Sequence, residues 1–319
     1  MKNELFSRSP HNPIITRDLL PFNATAVYNP GAAEHDGDVV LLVRVEDRQG
    51  FSKLHVARSK NGVTDWDISD KPLLTYGIPE FHYEELGCED ARITYMPQDQ
   101  RYYICYVAYS NLGPAVGLAY TTDFVHVERI GLIFGPNNKD AAMFPEKIDG
   151  RYHMLHRPAA GTIEHIWSAS SSDLIDWGLP HVVVAERGGP WWDGVKVGAG
   201  PPPLKTERGW LLAYHGVKYY GSYMIYRMGL ALLDLEKPHK ALIRVPGWVF
   251  EPEAPYEVTG ITPNVVFPCG WITRGDEIWM YYGAADTCVC LATAKIQDLM
   301  HALEATRETS GAYAAGSVK

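Results

Sequence analysis

The sequence predicts an all-β chain, a five-bladed β-propeller with a short C-terminal helix. Two observations carry this prediction. Apolar and polar residues alternate with the period of a β-strand, and one phrase recurs five times. The phrase is a small residue in a short strand followed by a polar turn, as in "HVARSKNGVTDW" and "VCLATAKIQDL". Repeated strand–turn–strand units are typical of radial antiparallel blades.

The central alanines of the five phrases mark the register of the repeat. They are Ala57, Ala119, Ala169, Ala231 and Ala292. The steps between them are 62, 50, 62 and 61 residues. Two further strands lie upstream of each phrase, as in "CEDARITYM" followed by "QRYYICYVAYS". We therefore predict a single domain over residues 1–319, with a helix at about 294–307 and a frayed tail at about 308–319. A β-sandwich or barrel with accidental internal similarity is the alternative.

Charge and composition exclude several classes of partner. The formal net charge is −9 and there is no basic run, whereas binding to a phosphate backbone needs a basic stripe. The N-terminus lacks the apolar core of a signal peptide, and no apolar run reaches the roughly 18–20 residues of a membrane span. The five cysteines are irregularly spaced, which favours reduced thiols. We expect a cytoplasmic protein that binds neither nucleic acid nor membrane.

The predicted architecture brings distant residues together, because the first strand of each blade lines the central channel. The first strands offer Asn29, Asp90, Asp140, Gly200, Pro201 and Asn264. The ends of the middle strands offer Arg44, Arg157, His215 and Asp286. These side chains are expected to share one pocket.

Asp90 is the first catalytic candidate. An acid at the channel end of an inner strand could donate a proton if burial raised its pKa. The structural alternative is that Asp90 pairs with Arg92 and only fixes the blade. Because neighbouring side chains of a strand point to opposite faces, Glu89 is expected to point away into the blade.

A second group has the donors that bind a tetrahedral anion. It consists of Lys139, Arg157, His215 and Tyr226. Arginine offers a fork of donors, lysine a point charge, and histidine and tyrosine single hydrogen bonds. Each also has an ordinary structural interpretation, such as a solvated strand end or a core histidine. Asn29, Arg44 and Asp286 are types that bind vicinal hydroxyls, although Asn29 in "YNPG" could equally form a turn.

The phrases "YNPGA", "LLVRVED", "GCEDARI", "KDAAMFPEKIDGRYHMLHRP", "AYHG" and "YYGAAD" resemble glycoside hydrolase family 130. This family contains mannoside phosphorylases and related β-mannosidases, and the resemblance spans almost the whole chain. It implies a five-bladed propeller in which Asp90 is the single catalytic acid, protonating the glycosidic oxygen through the 3-hydroxyl of mannose. It implies phosphate binding by Lys139, Arg157, His215 and Tyr226. It implies mannose binding by Asn29, Arg44 and Asp286. The resemblance associates the position of Lys139 with an arginine, whose bidentate fork lysine lacks.

The function implied is inverting phosphorolysis of a β-mannoside, giving α-mannose 1-phosphate. The substrate would be a β-1,2- or β-1,4-linked manno-oligosaccharide, or mannose linked to glucose or N-acetylglucosamine. An inverting hydrolase needs a second carboxylate to activate water, whereas phosphate is already an anionic nucleophile. Inorganic phosphate is the expected co-substrate, with no cofactor and no metal. The alternatives are a β-mannosidase of the same family, a five-bladed glycosidase acting on another sugar, and a non-catalytic sugar-binding propeller. A homo-oligomer is compatible with the sequence.

Overall fold

The computed structural model describes residues 4–315, with side chains up to residue 307, and is built almost entirely from β-strands. The strands are β1 (Ser7–Arg8), β2 (Ala26–His35), β3 (Asp38–Glu46), β4 (Ser52–Ser59), β5 (Asp67–Leu74), β6 (Gly87–Met96), β7 (Arg101–Ser110), β8 (Gly113–Thr121), β9 (Glu128–Phe134), β10 (Asn138–Met143), β11 (Tyr152–Pro158), β12 (Ile166–Ser171), β13 (Gly178–Val184), β14 (Lys196–Ala199), β15 (Leu204–Thr206), β16 (Gly209–Tyr220), β17 (Tyr223–Leu233), β18 (Ala241–Arg244), β19 (Val266–Arg274), β20 (Glu277–Ala284) and β21 (Cys288–Lys295). The helices are two 3-10 turns, Arg17–Leu19 and His82–Glu84, and two α-helices, α1 (Pro255–Val258) and α2 (Ile296–Ala315). The predicted all-β class with a C-terminal helix is confirmed.

The strands form antiparallel runs of four neighbours. The runs are β2 to β5; β6 to β9; β10 to β13; β14, β16, β17 and β18, with β15 beside β16; and β19 to β21 completed by β1. One parallel bridge between Ser52 and Gly87 joins the first two runs, so the strands count as four sheets. The five register alanines fall in β4, β8, β12, β17 and β21, the third strand of each run. The sequence repeat therefore corresponds to a repeat of structure.

The five larger apolar clusters of the described residues lie between successive runs. Val40 and Leu54 of the first run pack with Ile104 and Ala119 of the second, and corresponding clusters join the second to the third, the third to the fourth and the fourth to the fifth. The remaining cluster packs Leu41 of the first run with residues of the last. Burial of apolar side chains, at about 25 cal/mol per Å², thus links every run to the next and the last to the first.

Helix α2 follows the last strand and packs Leu299 and Leu303 into the cluster between the last two runs. It continues to Ala315, so the predicted helix end near 307 is wrong. Alanine-rich sequence over 312–315 favours helix. The remainder of the predicted tail, residues 316–319, lies outside the described residues. Among residues 4–315, neither α-helix combines the length and the apolar character needed to cross a bilayer.

Irregular backbone occurs at the same place in three first strands. The pairing of β2, β6 and β10 with the next strand shifts register beside Asn29, Asp90 and Asp140. These residues have φ values of 45°, 50° and 54°, in the left-handed region that Asn and Asp tolerate better than most residues. Bulges re-aim side chains. Three polar side chains are thereby turned toward one point.

Candidate active site

A cavity of about 160 Å³ lies where the first strands converge. All eight predicted site residues line it: Asn29, Arg44, Asp90, Lys139, Arg157, His215, Tyr226 and Asp286. The further lining residues are Glu89, Asp140, Lys196, Thr262, Val265 and Phe267. The structure thus brings the predicted set together.

Three predicted channel residues do not line the cavity: Gly200, Pro201 and Asn264. In the fourth run the strand at the cavity is β14, which ends before Gly200, because prolines 201–203 cannot continue a ladder of hydrogen bonds. Gly198 is the position in β14 where the backbone comes closest to Asp140 and His215. A Cβ atom there would lie 2.2 Å from Oδ2 of Asp140 and 2.4 Å from Cε1 of His215.

One side of the cavity is organised by the guanidinium of Arg44. Its Nη1 donates to Oδ1 of Asp90 at 3.0 Å and its Nη2 to Oε1 of Glu89 at 2.9 Å. Asn29 donates from Nδ2 to the same Asp90 oxygen at 2.9 Å. The prediction that Glu89 points away from the cavity is therefore wrong. The register shift between Glu89 and Arg92 breaks the alternation on which it depended.

Arg92 does not pair with the Asp90 carboxylate, contrary to the structural alternative. Its Nη1 donates to the backbone carbonyl of Asp90 at 2.9 Å, and its Nη2 lies 3.3 Å from Oδ1 of Asp140. Arg92 is almost fully buried and ties the first strands of the second and third runs together. The Asp90 carboxylate remains directed at the cavity.

The two neighbouring carboxyls have opposite pKa shifts. Burial raises the pKa of Asp90, but the charges of Arg44 and Arg92 and the hydrogen bond from Asn29 outweigh burial and hold the pKa below its usual value. Burial also raises the pKa of Glu89, and there the nearby Asp90 charge adds to burial, so that the pKa stays above its usual value despite Arg44. The condition set for Asp90 as an acid, a pKa raised by burial, is therefore not met in the free protein, because Arg44 favours the charged form.

The opposite side of the cavity is built around the buried carboxylate of Asp140. Its Oδ2 lies 2.7 Å from Nη1 of Arg157 and 3.4 Å from Nε2 of His215. Arg157 Nη1 is also 3.0 Å from His215 Nε2, and since arginine only donates, that nitrogen accepts. Burial lowers the pKa of His215 to about 3, so the ring is neutral near pH 7. Burial raises the pKa of Asp140, but Arg157, His215 and Arg92 together hold it well below its usual value.

Donors remain available on this side of the cavity. Nε of Arg157 lies 3.0 Å from Oε2 of Glu164, but no described residue accepts a hydrogen bond from Arg157 Nη2. Lys139 and Lys196 line the cavity, and neither ammonium has a carboxylate of the described residues within 4.0 Å. Burial and the Arg157 charge lower the pKa of Lys196. Ammonium groups without a carboxylate partner, together with an unused guanidinium donor, can bind an anion in a small polar cavity.

Buried neutral histidines predict acid sensitivity of the fold. His156 is buried against Phe134, and burial lowers its pKa to about 4, while that of His215 falls to about 3. Between pH 6.5 and 4 the unfolded chain binds protons that these rings do not, so the free energy of unfolding should fall by up to about 1.4 kcal/mol per pH unit for each ring. Denaturant titrations at several pH values measure this slope. His156→Gln should reduce it, whereas an unchanged slope would contradict the assignment; the exposed His11, replaced in the same way, is the control.

Comparison of this sequence with known proteins identifies its family. A family model described as beta-1,4-mannooligosaccharide phosphorylase matches residues 5–305. The chain belongs to glycoside hydrolase family 130. The predicted resemblance is therefore confirmed.

Two relatives and one solved structure with high similarity to this chain are named as phosphorylases. A beta-1,2-mannobiose phosphorylase of Listeria innocua is 36% identical over 93% of this chain and 98% of its own length. A beta-1,4-mannooligosaccharide phosphorylase of Ruminococcus albus is 32% identical over 91% of this chain and 88% of its own. A solved structure of the Listeria innocua beta-1,2-mannobiose phosphorylase with beta-1,2-mannobiose has a TM-score of 0.86 and 34% identity, covering 94% of this chain and 99% of that one.

Proposed function

We propose that this family 130 protein is an inverting phosphorylase that transfers the mannosyl group of a β-mannoside to inorganic phosphate. The observation that carries the proposal is that one cavity has a carboxyl group on one side and cations on the other. The Asp90 carboxyl with Arg44 and Asn29 occupies one side, and the partly unpaired cations Lys139, Lys196 and Arg157 occupy the other. An acid opposite an anion site meets the needs of phosphorolysis.

The five runs of strands are, in this proposal, the blades of a propeller whose axis passes through the cavity. The cyclic order of the five apolar clusters supports a closed ring, since the last run packs on the first. The strand β1 beside β21 also ties the N-terminal residues into the last blade. Five blades are compatible with four sheets, because the single bridge between Ser52 and Gly87 joins the first two blades into one sheet.

Phosphate would bind to Lys139, Lys196 and the free Nη2 of Arg157. Burial raises the pKa of Tyr226 to about 12, so its phenol stays protonated and can donate to a phosphate oxygen. His215 is neutral and holds the Arg157 guanidinium through Nε2. Positive groups that are fixed before the anion arrives lower the repulsion between phosphate and the carboxylates across the cavity.

The mannosyl ring would lie against Asn29, Arg44 and Asp286. Asp90 supplies the proton for the leaving oxygen, relayed through a mannose hydroxyl, while a phosphate oxygen forms the new bond to C1 from the opposite side. The Lys139 charge is among those that lower the Asp90 pKa in the free protein. Bound phosphate neutralises that charge and adds a negative one, so it raises the Asp90 pKa and prepares this carboxyl to act as an acid. The phosphate proton then restores the acid for the next turnover.

The decisive experiment compares turnover of β-1,2- and β-1,4-mannobiose with and without phosphate, following the anomeric protons by NMR. We expect α-mannose 1-phosphate with phosphate present and no turnover in phosphate-free buffer. Free mannose formed at equal rates in both buffers would overturn the proposal. It would indicate the family's hydrolases, with Glu89 or Asp286 as candidate bases. The same panel identifies the linkage, since relatives are named for both.

We also propose that the protein acts in the cytoplasm with no cofactor besides the phosphate substrate. Its five cysteines are free and buried, which suits a reducing compartment. Separating membrane, periplasmic and cytosolic fractions of the source cell by immunoblot tests this assignment.

A further inference from the structure

Three runs contain the same buried arrangement, here called the carboxylate clamp. A carboxylate that precedes the first strand accepts hydrogen bonds from a tyrosine on the middle strand and from an arginine on the outermost strand. The clamps are Glu84 with Tyr106 and Arg129; Asp193 with Tyr214 and Arg244; and Glu257 with Tyr282 and Arg8. All three carboxylates have a relative exposure of 0%.

The clamp at Asp193 contains two arginines, whereas each of the other clamps contains one. Tyr214 donates to Oδ2 at 3.2 Å and Arg244 Nη2 to the same oxygen at 2.6 Å. Arg187 adds a bidentate pair, with Nε and Nη2 each 2.8 Å from a carboxylate oxygen. Four hydrogen bonds from three side chains fix both the carboxylate and the 187–193 segment that carries it.

The position of Asp193 relative to the proposed phosphate site is what distinguishes this clamp. Tyr214 immediately precedes His215, and Asp193 lies three residues before Lys196. A Cβ atom on Gly216 would lie 2.4 Å from Cβ of Asp193, so this clamp packs directly behind the strand that carries His215. In the other two clamps the tyrosine is followed by Val107 or Gly283, and neither lines the cavity.

We propose that Asp193 is a positioning residue for phosphate binding, which holds the backbone of His215 and Lys196 in place. This inference rests on the proposed function. A lysine ammonium on a flexible stem binds an anion weakly unless its backbone is fixed, and a neutral imidazole supports Arg157 only in one ring orientation. Asp193 itself does not line the cavity, so it acts through its two neighbours.

Three matched substitutions test the inference: Tyr214→Phe, Tyr106→Phe and Tyr282→Phe. Each removes one hydroxyl that donates to a buried carboxylate and keeps the ring. For Tyr214→Phe we expect the phosphate KM to rise about three- to tenfold, as for the loss of one hydrogen bond, with mannoside KM and kcat little changed. The other two variants should keep the phosphate KM of the wild type while losing similar thermal stability.

An equal phosphate KM in all three variants would overturn the inference and leave the Asp193 clamp with a structural role alone. Asp193→Asn extends the test, with a larger expected increase in phosphate KM than Tyr214→Phe. If Asp193→Asn does not fold, the tyrosine series still decides. If the wild type cleaves mannobiose at the same rate with and without phosphate, the proposed function fails instead. The wild type is therefore assayed before the variants.

Discussion

Asp90→Asn is expected to lower kcat for phosphorolysis by about 10²- to 10⁴-fold, the usual contribution of a general acid. The amide cannot donate the proton that the leaving oxygen needs. It retains an oxygen that can accept from Arg44 and Asn29, which now donate to Asp90 Oδ1 at 3.0 and 2.9 Å. Asparagine also tolerates the φ of 50° at this position. We therefore expect a folded protein that still binds phosphate, as measured by calorimetry.

Asp36→Asn is the matched control. Asp36 also has a left-handed backbone, with φ of 52°, but it is exposed at a hairpin turn away from the cavity. Both variants make the same chemical change in the same backbone conformation, so a general effect of the substitution would appear in both. Near-normal turnover by Asp90→Asn, with unchanged turnover by Asp36→Asn, would show that another group is the acid. Glu89, whose pKa is raised, would then be the first residue to substitute.

The case of Glu89 explains what the sequence could predict about this site. The repeat of strands, the class of fold and the convergence of Asp90, Arg157 and His215 follow from patterns that extend over the whole chain. The direction of Glu89 depends on a single extra residue in one strand, between Glu89 and Arg92. Strand alternation contains no information about such a bulge, because the sequence around it is compatible with regular pairing. The sequence shows only that position 90 is Asp, which tolerates the left-handed backbone of a bulge, and Asp is common at turns as well.

Lys196 was not predicted for a related reason. The predicted first strand of the fourth blade contains Gly200 and Pro201, and Lys196 precedes both of them in "GVKVGAG". In the structure, strand β14 begins at Lys196 and ends at Ala199. The three consecutive prolines cannot occupy the interior of a ladder, so they indicate a strand that ends before them, nearer the N-terminus. A lysine between two valines at the start of an inner strand then becomes a site candidate.

Arg157→Ala is expected to raise the phosphate KM about 10- to 100-fold, as for the loss of a hydrogen bond between charged groups. The guanidinium offers Nη2 to the anion while Nη1 and Nε lie 2.7 and 3.0 Å from Asp140 and Glu164. Its removal takes away a donor and also leaves Asp140 a less compensated buried charge that repels phosphate. The KM for mannoside should change much less. Initial rates over a matrix of phosphate and mannoside concentrations separate the two constants.

Two further variants decide whether the effect comes from the arginine's place in the anion site. Arg157→Lys keeps the charge but loses the planar fork. The ammonium cannot reproduce the geometry in which one nitrogen contacts Asp140 and another is directed to phosphate, so an intermediate phosphate KM is expected. Arg151→Ala is the control, because Arg151 is a partly buried arginine just before β11, the strand that contains Arg157. Arg151 donates to Ser170 and does not line the cavity. Its phosphate KM should equal that of the wild type. If Arg157→Ala instead resembled Arg151→Ala, phosphate would have to bind away from Asp140 and His215, because no anion could occupy this side of so small a cavity without contacting the guanidinium.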